Sequence, residues 1–177
     1  RDGVLHAVYG GIYGRKNPRV LAPHLATGDL LPVLSHLGPA APSGIVMPQS
    51  SATGLGGDLI CTEFNTRRLS RHQLSHAGSS FESKVSTFLE SDQTDFHPTD
   101  VIEDADGSLL VADTGSWYKI CCPTSKIAKP DILGAIYRLK KKDMVQADDP
   151  RGLALDWKNP QVEWLSDERP AVVTRAI

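Results

Sequence analysis

Two histidines, His36 and His97, each stand a few residues before an apolar segment. Histidine can act as a general base because its pKa lies near neutral pH. If the apolar segments are inner strands arranged around an axis, the loops before them lie at one rim of the channel, and either histidine could face it. The other interpretation is structural, since a single loop histidine often bonds a backbone carbonyl.

Charged side chains stand near these positions. Arg67 and Arg68 are adjacent, and a guanidinium can hold a carboxylate through two parallel hydrogen bonds. Alternatively, the pair flanks the next strand. Glu63 and Asp113 each end an apolar segment. A carboxylate at such a place could bind calcium, or it could hold a turn by accepting backbone N–H groups.

The spacer after Asp113 contains an aromatic pair, Trp117 and Tyr118, and two adjacent cysteines, Cys121 and Cys122. The aromatic rings could stack on a flat cofactor or a sugar, or they could cover the edge of a sheet. The cysteines could form a vicinal disulfide in an oxidising compartment. Free thiols, or one buried thiol, are the alternative.

Composition excludes several classes of protein. The 177 residues include 19 basic and 21 acidic side chains, with a formal net charge of −2, so no electrostatic footprint for nucleic acid is present. The sequence contains no C-x-x-C-H motif for a c-type haem and no C-x-x-C pair for structural zinc. No stretch approaches the ~20 apolar residues of a transmembrane helix.

Two stretches of the chain resemble each other. Each begins with proline, a small residue and apolar residues, at Pro42 and Pro98, and continues with glycine and an apolar run, at Gly57 and Gly107. A repeat of about 40–50 residues with several short strands is typical of β-propeller blades. We therefore predict a mostly β fold: a partial propeller of about two blades, built from antiparallel sheets.

The composition of the sequence changes after residue 143. Proline turns rich in aspartate and asparagine give way to two short helical patterns, the last one carrying Pro170 in its first turn. We predict propeller blades over residues 1–143 and a linker leading into a helical region over 144–177. Because the sequence opens with Arg1 and ends inside a predicted helix, we expect it to be an internal segment of a larger protein.

The stretch from Asp95 to Lys141, together with HLGPAAPSGI from His36 to Ile45 and GDLICTEFN from Gly57 to Asn65, resembles a known family. The chain is similar to bacterial membrane-bound dehydrogenases with a six-bladed propeller like that of sugar and sorbosone dehydrogenases. The resemblance implies HEAT-type repeats after the propeller, a c-type haem domain elsewhere in the full protein, and a periplasmic or membrane-associated location in the cell envelope.

More distantly, the blades resemble quinoprotein dehydrogenases, which use pyrroloquinoline quinone and calcium. That resemblance matches Asn65 and one of the arginines Arg67 and Arg68, and it lacks the histidine that the quinoproteins carry here. It implies cofactor binding by Asn65 and these arginines, and it implies that the catalytic histidine lies on an earlier blade, outside residues 1–177. The position of the residues alone makes Trp117 a candidate for stacking on the cofactor, Glu63 or Asp113 a candidate for binding calcium, and His36 or His97 a candidate base. The expected function is oxidation of a sugar or alcohol with a quinone-type acceptor, in which the rest of the propeller takes part; this segment alone should be inactive. The alternative is a non-catalytic carbohydrate-binding or scaffold module.

Overall fold

The computed structural model describes residues 2–14, 19, 28–115, 118–119, 126–127, 129 and 131–177. Its architecture is mostly β with a short helical segment at the C-terminal end, which confirms the predicted fold class. The strands are β1 (Asp2–Val4), β2 (Ser35–Gly38), β3 (Pro42–Val46), β4 (Leu59–Glu63), β5 (Arg68–Ala77), β6 (Ser80–Glu90), β7 (Pro98–Glu103), β8 (Leu109–Asp113), β9 (Tyr118–Lys119), β10 (Lys126–Ile127) and β11 (Ala135–Leu139).

These strands form antiparallel sheets. The N-terminal sheet pairs β1 with β2, the central sheet has the order β3-β4-β5-β6, and the C-terminal sheet has the order β11-β8-β7. Strands β9 and β10 lie between β8 and β11 in the sequence, and they pair with each other as a separate two-stranded sheet. The two sequence repeats therefore correspond to the central and C-terminal sheets, whose first strands begin at Pro42 and Pro98.

The central and C-terminal sheets lie side by side. Strand β3 approaches β7 so closely that a Cβ atom on Gly44 would lie 2.6 Å from the Cα of Asp100. Such an approach requires glycine, because any larger residue would push the strands apart. Apolar residues of the two sheets and of the loops next to them form one buried core: Leu55, Ile60, Leu69, Phe96, Val101, Leu109 and Val111.

The opposite face of the central sheet is covered by the N-terminal sheet. Val4, Leu37 and Ala40 pack there against Cys61 of β4. Each face of the central sheet is thus buried by a neighbouring sheet, which is how propeller blades bury surfaces that one small sheet cannot bury alone. The arrangement is that of two blade-like sheets with a strand pair stacked beside them.

The segment after β11 packs mainly on itself. It contains a 3₁₀ helix (Val162–Ser166) and helix α1 (Pro170–Ala176), and a further 3₁₀ helix, Ser51–Thr53, lies between β3 and β4. The Trp157 and Trp164 ring centroids lie 4.7 Å apart, and Arg175 lies 4.0 Å from the Trp157 ring centroid. An Arg151–Asp104 ion pair of 2.6 Å links this segment to the C-terminal sheet.

The predicted boundary at residue 143 and the predicted relation to HEAT repeats stay predictions. In the parts of the chain that the structure describes, no helix is long and apolar enough to cross a membrane.

The repeat supplies a matched test of the core between the sheets. Leu69 lies opposite Thr62, and Ile136 lies opposite the equivalent Ala112, yet Leu69 is 0% exposed and Ile136 is 75% exposed. We expect Leu69→Ala to lower the free energy of unfolding of the 177-residue chain by about 2–5 kcal/mol, because it opens a cavity. Ile136→Ala should change it by less than about 0.5 kcal/mol. Urea denaturation of both variants measures this, and equal losses would contradict the structure.

Candidate functional site

Most of the candidate residues meet at one edge of the paired sheets. We call this the loop edge: the turn from Phe64 to Arg67, residues 95–97, and the end of β8 at 113–115. The rings of Phe64 and His97, with centroids 4.6 Å apart, join the two sheets there. The edge forms because β4 and β8 end, and β5 and β7 begin, on the same side.

Glu63 is fully buried at this edge and is held by its neighbours. Arg68 Nε donates to Glu63 Oε2 at 2.7 Å and Nη2 donates to Oε1 at 3.3 Å, while Thr66 Oγ1 donates to Oε2 at 2.7 Å. Burial raises the pKa of Glu63, but hydrogen bonds from Arg68, Thr66 and Ser70 and the charge of Arg68 outweigh it and leave the pKa below its ordinary value. Glu63 is therefore an ionised carboxylate that closes the β4–β5 turn.

The turn itself brings Asn65 and Arg67 outward. Arg67 has a φ of 57°, a left-handed conformation that is uncommon for a residue other than glycine. The side-chain amide of Asn65 donates to the carbonyl of Pro39 at 3.2 Å, and its backbone N–H donates to Ala40 at 2.9 Å. Asn65 thus ties the turn to the segment before β3, and no ion pair of Arg67 is found among the described residues.

His97 and Asp113 form a compact hydrogen-bonded unit. Nδ1 of His97 lies 2.7 Å from the carbonyl oxygen of Gly115 and 3.1 Å from that of Asp95. Since carbonyl oxygens only accept, this nitrogen carries the proton. Oδ1 of Asp113 accepts the backbone N–H of His97 at 2.9 Å and of Gly115 at 2.8 Å. These contacts match the structural interpretation, in which His97 bonds a backbone carbonyl and Asp113 holds a turn by accepting backbone N–H groups.

One candidate, His36, lies elsewhere. His36 is inside strand β2, opposite Gly3, with an exposed side chain, rather than in a loop before a strand. Trp117, Cys121 and Cys122 lie outside the described residues, so the predictions for them are not addressed by the structure.

A buried polar row escaped the sequence analysis. Nδ1 of His72 lies 3.0 Å from Ser35 Oγ and 3.4 Å from Ser83 Oγ, and Nε2 lies 3.0 Å from Ser70 Oγ. Burial, helped by the charge of Arg68 and opposed by Glu63, lowers the pKa of His72 below its ordinary value. The available signal was the spacing of Ser70 and His72, which places both on one face of a strand.

Cys61 lies on the same face of the central sheet. Burial, followed by the charge of Glu63, raises the pKa of its thiol to about 11. The thiol therefore stays protonated near neutral pH and is a poor nucleophile, because only the thiolate reacts. Cys61 acts as a small apolar residue of the core beside Val4 and Leu37.

A cavity of about 490 Å³ opens next to the loop edge, between the central and C-terminal sheets. Its lining is more apolar than polar and includes Phe96 and Tyr137, whose ring centroids lie 5.9 Å apart. Asp95 and Asp113 also line it, and Lys129 Nζ lies 2.6 Å from Asp95 Oδ1. This volume suits a small molecule, and the mixture of aromatic surface and polar groups is typical of ligand pockets.

The donor set of the loop edge does not fit the implied calcium ion. Both oxygens of Glu63 are engaged by Arg68, and Asp113 already accepts two backbone N–H groups. Within the described ranges, no group of three or more His, Cys, Asp or Glu side chains could hold a metal ion. We derive no chemical step through calcium or a quinone.

No family model, curated protein or solved structure matches this chain.

Removing the partner of Glu63 should destabilise the fold. Arg68→Ala leaves a buried carboxylate without its cation, and we expect a loss of about 3 kcal/mol in the free energy of unfolding, because an uncompensated buried charge is costly. The double variant Arg68→Ala/Glu63→Gln should recover part of this loss, since the charge is gone. Urea denaturation of both variants tests the pair; a double variant no more stable than Arg68→Ala would contradict it.

Acid should destabilise the protein through His72. Its pKa is lowered in the folded state, so below about pH 6.5 the unfolded chain binds more protons and the free energy of unfolding falls. This loss should begin near pH 6.5 and continue down to the lowered folded-state pKa. We expect His72→Gln to flatten the profile over this range more than His76→Gln, which replaces an exposed histidine of the same strand. Denaturation at a series of pH values measures the slopes, and identical profiles would refute this role.

Proposed function

We propose that the cavity beside the loop edge binds a sugar or a related polyhydroxylated alcohol, and that this chain is a carbohydrate-binding module of propeller type. The observation that carries the proposal is the composition of the cavity, which is lined by Phe96 and Tyr137 together with Asp95 and Asp113. A sugar has an apolar C–H face that packs on an aromatic ring, and hydroxyls that donate to carboxylates.

Binding without catalysis is the function that the geometry favours. A general base must have an atom within reach of the proton it removes. Nδ1 of His97 lies 2.7 Å from the Gly115 carbonyl, and Glu63 is a buried partner of Arg68. Both side chains hold the loops that shape the cavity, and neither lines it.

Titration calorimetry of the 177-residue chain with a panel of aldoses and sugar alcohols tests the proposal. We expect saturable binding of at least one of them, and we expect Tyr137→Ala to weaken it at least tenfold, which corresponds to about 1.4 kcal/mol. Tyr9→Ala is the matched control, because Tyr9 is fully exposed and does not line the cavity. Absence of binding to the whole panel, or equal weakening by the two variants, would overturn the proposal.

A second candidate is a sugar or alcohol dehydrogenase, of which this chain supplies two blades. The observation that favours it is that Asn65 and Arg67, for which the family resemblance implies cofactor binding, both lie at the loop edge. Pyrroloquinoline quinone, calcium and the catalytic base would then be held largely by other blades of the same propeller. With a dehydrogenase function we also expect a c-type haem domain elsewhere in the full protein and a location in the cell envelope.

Dye reduction separates the two functions. The polypeptide that contains these residues, supplied with pyrroloquinoline quinone, calcium and aldoses, should reduce an artificial acceptor if it is a dehydrogenase, with saturable dependence on quinone. Arg67→Ala should raise the quinone concentration needed, whereas Arg175→Ala should not. Sugar binding without quinone binding supports the module, and we expect no turnover by the 177-residue chain alone.

A further inference from the structure

The outer edge of the central sheet is a long strand with one open side. Strand β6 is the last in the order β3-β4-β5-β6, and no other strand of the described residues pairs with its outer side. It has 11 residues, whereas β3 and β4 have five residues each. The backbone N–H and C=O groups along such an edge can pair with a strand of another chain.

The first half of β6 belongs to a hairpin that extends beyond the rest of the sheet. Pairing of β5 with β4 ends at His72, which lies opposite Leu59. Residues Gln73–Ala77 of β5 pair with β6, and in the described part of the chain they have no strand on their other side. A two-stranded ribbon is marginally stable in water, and further strands stabilise it.

The charges of this hairpin favour pairing of β6 with a second copy of itself. Glu82 and Lys84 are both exposed, and neither forms an ion pair with a described residue. If two copies of β6 run antiparallel with Ser83 opposite Ser83, Glu82 of each copy lies opposite Lys84 of the other. In the same register Phe81 lies opposite Val85. Opposite charges, and aromatic and β-branched residues, stabilise two strands when they are directly opposite each other.

Neighbouring registers of the same pairing are less favourable. A two-fold axis at Lys84 would place two ammonium groups opposite each other, and an axis at Glu82 would do the same with two carboxylates. Like charges directly opposite each other are destabilising. An axis at Val85 would place Lys84 opposite Ser86 and leave that charge uncompensated. The charge pattern of β6 therefore favours the register centred on Ser83.

The outer edge of the C-terminal sheet lacks these features. Its edge strand, β11, has five residues and is followed directly by Lys140, Lys141 and Lys142. Lysines and a short length both discourage pairing at a sheet edge. Of these two outer edges, β6 is thus the one whose length and charges suit association.

We propose that β6 is a dimerisation surface, at which two copies of this chain pair antiparallel about Ser83 and join their central sheets into one continuous sheet. Backbone hydrogen bonds between the two β6 strands supply the contact, and Glu82 and Lys84 determine its register. The proposal does not depend on the ligand of the cavity, because the cavity reaches β6 only at Leu89 and Glu90, at the other end of the strand.

Charge reversal tests the proposal, with sedimentation velocity of the 177-residue chain over a range of concentrations as the measurement. We expect the unmodified chain to form dimers. Lys84→Glu and Glu82→Lys should each raise the dimer dissociation constant at least tenfold, because each places like charges opposite each other in both symmetry-related pairs. The double variant Glu82→Lys/Lys84→Glu restores opposite charges and should return the constant to within threefold of that of the unmodified chain.

Lys158→Glu is the matched control for the change in net charge. Lys158 is exposed and lies outside β6, so this variant should leave the dissociation constant within twofold of that of the unmodified chain. A chain that stays monomeric at all concentrations overturns the proposal. Dimers that the single variants do not weaken, or that the double variant does not restore, also overturn it, because association would then use another surface or register.

Cross-linking provides a second test that does not depend on the charge variants. In a background with Cys121→Ser and Cys122→Ser, Ser83→Cys should form a disulfide between two copies when oxidised with copper phenanthroline, because residues directly opposite on antiparallel strands are close enough to be bridged. Ser79→Cys, in the exposed β5–β6 turn, is the control and should cross-link at least tenfold more slowly. Equal rates for the two variants would contradict pairing about Ser83.

Discussion

Stacking of small sheets is the constraint on which the rest of the structure depends. A sheet of three or four strands has two faces, and apolar residues on both must be removed from water for the sheet to be stable. The central sheet meets this requirement with Cys61 packed against the N-terminal sheet and Leu69 packed against the C-terminal sheet. The close approach of β3 and β7 at Gly44 sets how tightly the second contact can form.

Polar groups inside this stack are tolerated because each has a partner. Among the described residues, no buried side-chain nitrogen or oxygen lacks a hydrogen bond. His72 is surrounded by serine hydroxyls from β2, β5 and β6, and Glu63 by Arg68 and Thr66. Burying such groups without partners would cost more than the individual hydrogen bonds contribute. The buried row of His72, Ser35, Ser70 and Ser83 therefore lies on the face toward the N-terminal sheet, whereas the other face carries the apolar cluster around Ile60 and Leu69.

The same need for partners explains the loop edge. Side chains that resemble catalytic groups in the sequence, such as His97 and Asp113, have their atoms engaged in fixing loops. The cavity beside these loops is lined by Phe96 and Tyr137 together with carboxylates.

The amino-acid sequence alone determined the β class and the two repeated units, because strand length, turn glycines and the prolines at 42 and 98 are local signals. It also placed Asn65, Arg67, His97 and Asp113 near strand ends, since these positions follow from the same local pattern. Only the tertiary structure decided what those side chains contact. Glu63 pairs with Arg68 across a turn, but His72 meets Ser35 from 37 residues away, and Leu69 is buried where the equivalent Ile136 is not. Such differences depend on which sheet stacks on which face, and that is a property of packing between distant segments that no local pattern contains.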